Sequence, residues 1–186
     1  MTDAFEVLHA LCVKGMAGAA YLSLMTGRPE SAVLPAARDH VAAGAAVFVA
    51  AREVWRITEP GRSRHAAEVR ADLTPAAAGA LRACHDRFVP LDHRVKELCT
   101  RWQRREAAAE ADVRAELADL HRDLLAVAAR MAGTRPRYAR YAERLTAARD
   151  RFESGDAKAL TGVLCDSYHE VWMELHRDLR LTLDLP

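Results

Sequence analysis

Residues 54–68 read VWRITEPGRSRHAAE, and this stretch decides the fold of the first part of the chain. Its alternating apolar residues predict a short strand that ends at Thr58. Glu59-Pro60-Gly61 then predicts the start of a helix, because proline is tolerated in a first turn, where its missing N–H would have no partner. The stretch therefore joins a strand directly to a helix.

Three helices and a second strand are predicted before this junction. Apolar periodicity indicates helices over residues 4–14 and 17–25 and a third helix within 29–43, which end near Gly15, Gly27 and Gly44. Strands are predicted over 45–50 and 53–57, joined by a very tight turn, and the helix after the junction runs over 59–73. Three helices, a two-stranded wing and a further helix are the element order of a winged helix-turn-helix.

Residues 55–62 also resemble the strand-to-helix junction of MarR- and PadR-like regulators, whose pattern is roughly LTPEGR. The resemblance extends over residues 4–73. It implies an N-terminal winged helix-turn-helix, a fold that usually reads DNA.

The rest of the chain is predicted to be helical. Thr74-Pro75 is a helix-start signal, with threonine as N-cap and proline at the first helical position, and we place a domain boundary there. Helices are predicted over 76–88, 91–106, 112–131, 136–152 and 162–183, with Pro90, Gly133 and Gly155 as breaks. The predicted fold class is mainly α, with a winged-helix domain at 1–73 and a helical bundle at 74–186.

Charge and composition favour neither nucleic acid nor a membrane as partner. The 186 residues carry a net charge of +1, and residues 1–74 hold eight Lys/Arg against eight Asp/Glu. No apolar run approaches the roughly 20 residues of a membrane span, and the N-terminus lacks the pattern of a signal peptide. We therefore expect a cytoplasmic protein whose four cysteines are reduced and structural.

The third helix would be the recognition helix, and it offers few groups for reading bases. Arginine, lysine, asparagine and glutamine match the edges of the major groove, whereas this helix is rich in alanine and contains Pro35, which predicts a short helix. We therefore expect weakened DNA contacts. The candidate DNA-contact residues are Arg38, His40, Arg52, Arg62 and Arg64.

The densest block of the second domain is 166–178, DSYHEVWMELHRD. On a helix, its aromatic residues form one apolar stripe, which is typical of core packing, and its two histidines lie two turns apart. Polar groups set among tryptophans are alternatively typical of a small-molecule pocket. The candidate pocket residues are Trp102, Gln103, Tyr168, His169, Trp172 and His176.

Segment 135–151 contains six arginines and two tyrosines. We expect Tyr138 and Tyr141 to face the bundle and the arginines to form a solvated face. An anion-binding role for these arginines is the less favoured alternative.

No catalytic or metal-binding motif is present in the sequence. It contains no nucleophile elbow, P-loop or G-x-G-x-x-G, and no H-x-x-x-H or H-E-x-x-H. We predict no metal and no cofactor. A catalytic base formed by His169 or His176 with Glu174 remains open.

A second resemblance covers the whole chain. The segments LHALCVKG (8–15), CTRWQ (99–103) and TGVLCDSYHEVWMELHRDL (161–179) are similar to a region found at the C-terminus of actinobacterial proteins related to phosphoenolpyruvate synthase and pyruvate phosphate dikinase. This resemblance implies no activity, because the phosphohistidine and phosphoenolpyruvate domains of those enzymes are absent from the sequence.

The leading hypothesis is a regulator-like winged-helix protein that forms a homodimer, binds DNA and responds to a small molecule. One alternative is a winged-helix scaffold used as an enzyme or enzyme subunit, with its pocket in the helical domain. The other is a protein-interaction module.

Overall fold

The computed structural model describes residues 3–104 and 110–185, and the first part of the chain alternates helices with very short strands. Its elements are helix α1 (Asp3–Lys14), strand β1 (Met16–Ala17), helices α2 (Ala19–Thr26) and α3 (Glu30–Ala42), strands β2 (Ala46–Val49) and β3 (Val54–Ile57), and helix α4 (Glu59–Asp72). A 3-10 turn over Ala50–Arg52 joins β2 to β3.

The sheet has three antiparallel strands in the order β1-β3-β2, whereas two strands were predicted. The additional strand β1 is two residues long and pairs Met16 with Arg56 and Ala17 with Trp55. A strand of two residues cannot show an alternating pattern, so periodicity could not reveal it. Backbone pairing with β3 creates it.

The strand-to-helix junction is held by Thr58 and Gly61. The Thr58 hydroxyl accepts a hydrogen bond from the Gly61 N–H at 3.1 Å and donates to the Gly44 carbonyl at 2.7 Å, so one side chain caps α4 and ties it to the end of α3. Gly61 packs so closely on Ala45 that a Cβ there would overlap the Ala45 carbonyl oxygen. The glycine of the EPGR motif is therefore needed for close packing.

The second part consists of helices α5 (Pro75–Arg104), α6 (Glu110–Thr134), α7 (Tyr138–Glu153), α8 (Lys158–Thr161) and α9 (Tyr168–Leu183). The predicted break at Pro90 is wrong, because α5 continues through it. Pro90 removes the hydrogen bond to the Asp86 carbonyl, but both residues are exposed, and water can satisfy that carbonyl. Pro35 likewise lies on an exposed position of α3, which has 13 residues and is not the short helix that was predicted.

Helix α9 begins at Tyr168, six residues later than predicted. Ser167 and Glu170 form a capping box there: the Ser167 hydroxyl accepts from the Glu170 N–H at 3.3 Å, and the Glu170 carboxylate accepts from the Ser167 N–H at 3.4 Å. Residues 162–167 are therefore a loop.

The chain divides into two compact units. The first unit is Met1–Pro75 together with Arg180–Pro186, and the helical unit is Ala76–Leu179. The predicted boundary lies at residues 73 and 74, and the last residues of the chain group with the first unit. Each unit has its own apolar core, centred on Leu8, Leu11 and Leu22 in the first and on Phe88 and Trp172 in the helical unit.

Two further features concern the environment of the chain. Within residues 3–104 and 110–185, no helix has the length and apolarity required to cross a membrane. The four cysteines form no disulfide bond, with Cys12, Cys84 and Cys99 buried and Cys165 half-buried in the loop before α9. Taken over the helices and strands given above, the fold is mainly helical with one small sheet.

Candidate functional site

Helices α2 and α3 meet at a three-residue turn. Gly27 ends α2 in the left-handed conformation, with φ of 66°, and Pro29 precedes α3 in an extended conformation. The face of α3 that is exposed includes Ser31, Arg38 and Asp39. The helix therefore presents one cation, Arg38, and two carboxylates, Glu30 and Asp39, to solvent.

The five candidate DNA-contact residues do not form one surface. Arg38 and Arg52 are exposed, but His40 is only 2% exposed, and its Nε2 lies 2.7 Å from the Ala4 carbonyl oxygen. The assignment of His40 to DNA contact is therefore corrected, since its ring ties α3 to α1 in the core. Arg62 is half-buried and Arg64 pairs with Glu68 at 2.6 Å, both on α4.

An apolar cleft of about 580 Å³ lies between α3 and the β2–β3 hairpin. Phe48 of β2 packs against Trp55 of β3 with ring centroids 5.0 Å apart, yet Phe48 remains 46% exposed. The remaining lining residues are Ala19, Leu34, Arg38, Val41 and Glu53. We call this feature the hairpin cleft; neither Arg62 nor Arg64 lines it.

The six candidate pocket residues differ in their neighbours and in their exposure to solvent. Trp102 packs edge-on against Phe152 at 4.9 Å, whereas Trp172 stacks on Phe88 at 4.3 Å. Gln103 is exposed, Tyr168 is buried, and His169 and His176 are half-buried. None of the six lines a 570 Å³ cleft in the helical unit that is formed by Lys96, Glu97, Thr100, Arg101, Arg104 and Glu116.

Asp92, which sequence reasoning missed, organises the polar groups around Trp172. Its Oδ1 accepts a hydrogen bond from Trp172 Nε1 at 2.9 Å and lies 3.4 Å from His176 Nδ1, and its Oδ2 accepts from Lys96 at 2.6 Å. Burial acts to raise the pKa of Asp92, but the hydrogen bonds from Lys96 and Trp172 outweigh it, and the net shift is downward. The sequence could have indicated the contact between Asp92 and Lys96, because residues four apart on a helix are neighbours. It could not indicate the contact with Trp172, which lies 80 residues away along the chain.

The arginines of α7 do not all form a solvated face, which corrects the prediction for segment 135–151. Arg137 is 4% exposed and binds Asp178 through Nε and Nη2 at 3.1 Å, while Arg144 binds Glu174 at 2.7 Å and Asp166 at 2.6 Å. Tyr138 and Tyr141 are buried, as predicted. Arg137, the N-cap residue of α7, and Arg144 within that helix therefore pair with two carboxylates that lie four residues apart on α9.

His121 is a buried histidine whose pKa is strongly lowered. Its ring is 1% exposed and bridges the Tyr168 hydroxyl at 3.3 Å and the Thr146 hydroxyl at 3.2 Å. Because Thr146 donates its own proton to the Ala142 carbonyl, Nε2 of His121 carries the hydrogen and Nδ1 accepts from Tyr168. Burial, with a smaller contribution from the charge of Arg149, lowers the pKa of His121 from 6.5 to about 4.

We expect the free energy of unfolding to decrease as the pH falls from 6.5 to about 4. In this window the unfolded chain binds a proton at His121 that the folded chain does not, so the stabilisation is complete above pH 6.5 and is lost on acidification. The expected contribution is about 3 kcal/mol. Urea unfolding at several pH values in this range measures the slope of the free energy of unfolding against pH. The His121→Gln substitution should flatten that slope. An unchanged slope in that variant would contradict the assignment.

Comparison with known proteins adds no further constraint on the site. The chain matches no family model, no curated protein and no solved structure.

Proposed function

We propose that this chain is a regulator-like protein whose first unit is a winged helix-turn-helix that binds duplex DNA with modest affinity. The element order of helix, strand, two helices and a β-hairpin, with the sheet order β1-β3-β2, supports the fold assignment. The three-residue turn at Gly27 supports it further, since the two helices of a helix-turn-helix are joined by such a turn.

The observation that carries the DNA-binding proposal is the placement of Arg38 and Arg52. Arg38 is exposed on α3, and Arg52 is exposed in the hairpin turn next to Glu53, which lines the same cleft as Arg38. Neither arginine forms an ion pair with another described residue. In a winged helix, the third helix enters the major groove and the hairpin follows the backbone, so the two cations are available to phosphates.

Few phosphates are neutralised in this arrangement. Arg28 pairs with Asp3 at 2.9 Å, Arg64 with Glu68 at 2.6 Å and Arg70 with Asp184 at 3.6 Å, so three of the eight Lys and Arg side chains of residues 1–74 are compensated by these ion pairs. We expect affinities in the range of sequence-independent binding, on the order of 10⁻⁴ to 10⁻⁶ M at physiological salt. Arg62 and Arg64 lie outside the hairpin cleft and are assigned no DNA contact.

Fluorescence anisotropy with a labelled duplex at increasing salt tests this proposal. Because each neutralised phosphate adds about −0.9 to the slope of log K against log salt, Arg38→Ala and Arg52→Ala should each reduce the slope by about one. Arg130→Ala, at an exposed position of α6, is the matched control and should leave the slope unchanged. Absence of binding at low salt would overturn the proposal.

The enzyme alternative has less support from the geometry. A catalytic His169 or His176 requires a cleft into which its ring opens, and neither residue lines the cleft formed by Lys96, Thr100, Arg104 and their neighbours. The contacts of Asp92 with Trp172, Lys96 and His176 join α5 to α9 and account for these polar groups structurally.

A further inference from the structure

Helices α5 and α6 are joined by ion pairs that repeat at a spacing of seven residues. Arg101 of α5 pairs with Glu116 of α6, and Arg94 pairs with Asp123 at 3.1 Å. Seven residues are close to two helical turns, so each step returns to the same face of its helix, and the pairing order shows that the two helices run antiparallel. The register of these two pairs therefore indicates which residues face each other one step further along.

The next step of this register places two arginines opposite each other. Arg87 lies seven residues before Arg94 on α5, and Arg130 lies seven residues after Asp123 on α6. Both are exposed, and neither forms an ion pair with another residue in the described ranges 3–104 and 110–185. Two cations thus stand where the preceding steps join a cation to a carboxylate. We call Arg87 and Arg130 the arginine rung.

The thiol of Cys84 gives independent evidence that these two arginines lie close together. Cys84 is 5% exposed and lies one turn before Arg87 on α5. Burial raises the pKa of this thiol, and the charges of Arg130 and Arg87 both act in the opposite direction without reversing the shift. Because such effects decrease with distance, guanidinium groups from two different helices lie near one buried sulfur atom.

Neither helix places a carboxylate one turn away from the arginine rung. Asp86, the sequence neighbour of Arg87, has its Oδ1 3.9 Å from Nδ1 of His85. The positions three and four residues from Arg87 and Arg130 carry no acid: they are Ala83, Cys84, Pro90, Leu91, Ala126, Val127, Gly133 and Thr134. The two like charges are therefore not compensated within their own helices, and they favour a bound anion.

The chemistry of two facing guanidinium groups favours a phosphoryl group. Each guanidinium presents N–H donors in a planar fork that matches two oxygens of a phosphate or carboxylate. A carboxylate carries one charge, whereas a phosphoryl group carries about two and has enough oxygens for both forks. Space is available beside Arg130, because Gly133 is exposed and a Cβ there would meet nothing within 4 Å.

We propose that the arginine rung binds the phosphoryl dianion of a small molecule, either inorganic phosphate or an organic phosphate monoester. The site lies in the helical unit, and it goes beyond the DNA-binding proposal, which rests on Arg38 and Arg52 of the first unit. A phosphodiester of duplex DNA carries a single charge and is not the dianion that two arginines require. Arg130→Ala should therefore remove anion binding and leave the salt dependence of DNA binding unchanged, so the two proposals can fail separately.

Isothermal titration calorimetry of the full chain without DNA tests the proposal, at about pH 8, where phosphate is mainly a dianion. We expect one site per chain for inorganic phosphate or for glycerol phosphate, and the tighter of the two identifies the source of the phosphoryl group. Arg87→Ala and Arg130→Ala should each weaken binding about tenfold or more, since each removes hydrogen bonds between charged groups. Arg101→Ala is the matched control on the same face of α5, because Glu116 already neutralises Arg101, and it should bind phosphate as the wild-type chain does.

Replacing one of the two cations by a carboxylate gives a second measurement. Arg130→Glu should pair with Arg87 and continue the series of ion pairs, so it should abolish phosphate binding without lowering the melting temperature. Phosphate should raise the melting temperature of the wild-type chain, because it binds the folded state, and should not raise that of Arg130→Glu. A wild-type chain that binds neither phosphate nor glycerol phosphate would overturn the proposal. The same holds if Arg130→Glu binds phosphate as tightly as the wild-type chain, or if Arg101→Ala loses as much affinity as Arg87→Ala.

Discussion

Asp178→Ala is expected to lower the free energy of unfolding by about 3 to 5 kcal/mol, the cost of breaking a buried ion pair by removing one partner. Asp178 is fully buried and accepts hydrogen bonds from Arg137 at 3.1 Å and from the Tyr141 hydroxyl at 3.0 Å. Its removal leaves the buried Arg137 guanidinium without its carboxylate. The cost is large because a charge cannot be left in the core without compensation.

Urea unfolding followed by circular dichroism measures this effect. Asp119→Ala is the matched control, because Asp119 pairs with Arg122 at an exposed position of α6, and loss of an exposed pair costs less than about 1 kcal/mol. Replacing both partners, with Arg137→Met and Asp178→Leu, should recover most of the stability. If Asp178→Ala lowers the free energy of unfolding by less than about 1 kcal/mol, the ion pair between Arg137 and Asp178 contributes little to stability.

Gly61→Ala is expected to destabilise the first unit by about 3 kcal/mol or more, at the upper end of the range for overpacking. A Cβ at position 61 would overlap the Ala45 carbonyl oxygen and lie 2.7 Å from Ile57 Cδ1. The Ile57 side chain can rotate, but the carbonyl belongs to the backbone. Helix α4 would therefore have to move away from the junction, and the hydrogen bond from Gly61 to Thr58 would be lost with it.

Thermal unfolding compares this variant with Gly18→Ala in the same unit. A Cβ at Gly18 would make ordinary contacts of 3.7 Å to Glu53 and 3.8 Å to Val54, so we expect a change below about 1 kcal/mol. Equal melting temperatures for Gly61→Ala and the wild-type chain would refute the proposed close contact at Ala45.

The helices and the two longer strands could be predicted because their signals are local. Thr58, Pro60 and Gly61 place the start of α4 from within four consecutive positions, and glycines mark the ends of α1 and α2. Strand β1 escaped prediction because only its pairing with β3 makes it a strand. Pro90 was misread as a break, since whether a proline ends a helix depends on whether its freed carbonyl can reach water.

The candidate site residues were predicted less well, because exposure is a tertiary property. Arg38 and His40 are two residues apart on one helix, yet the first faces solvent and the second is buried against Ala4. Trp102 and Trp172 both pack on phenylalanines, but in different parts of the helical unit. Residue type alone indicates what a side chain could bind and leaves open where it points.

The sequence by itself determined the class of most segments, the strand-to-helix junction and the near-neutral charge of the first unit. These depend on residue type and on spacing within a few positions. Only the tertiary structure decided that Asp178 neutralises Arg137, that Asp92 binds Trp172 and that Val163 and Leu164 are exposed. The reason is physical: burial and ion pairing join residues tens of positions apart, and their partners are chosen by packing.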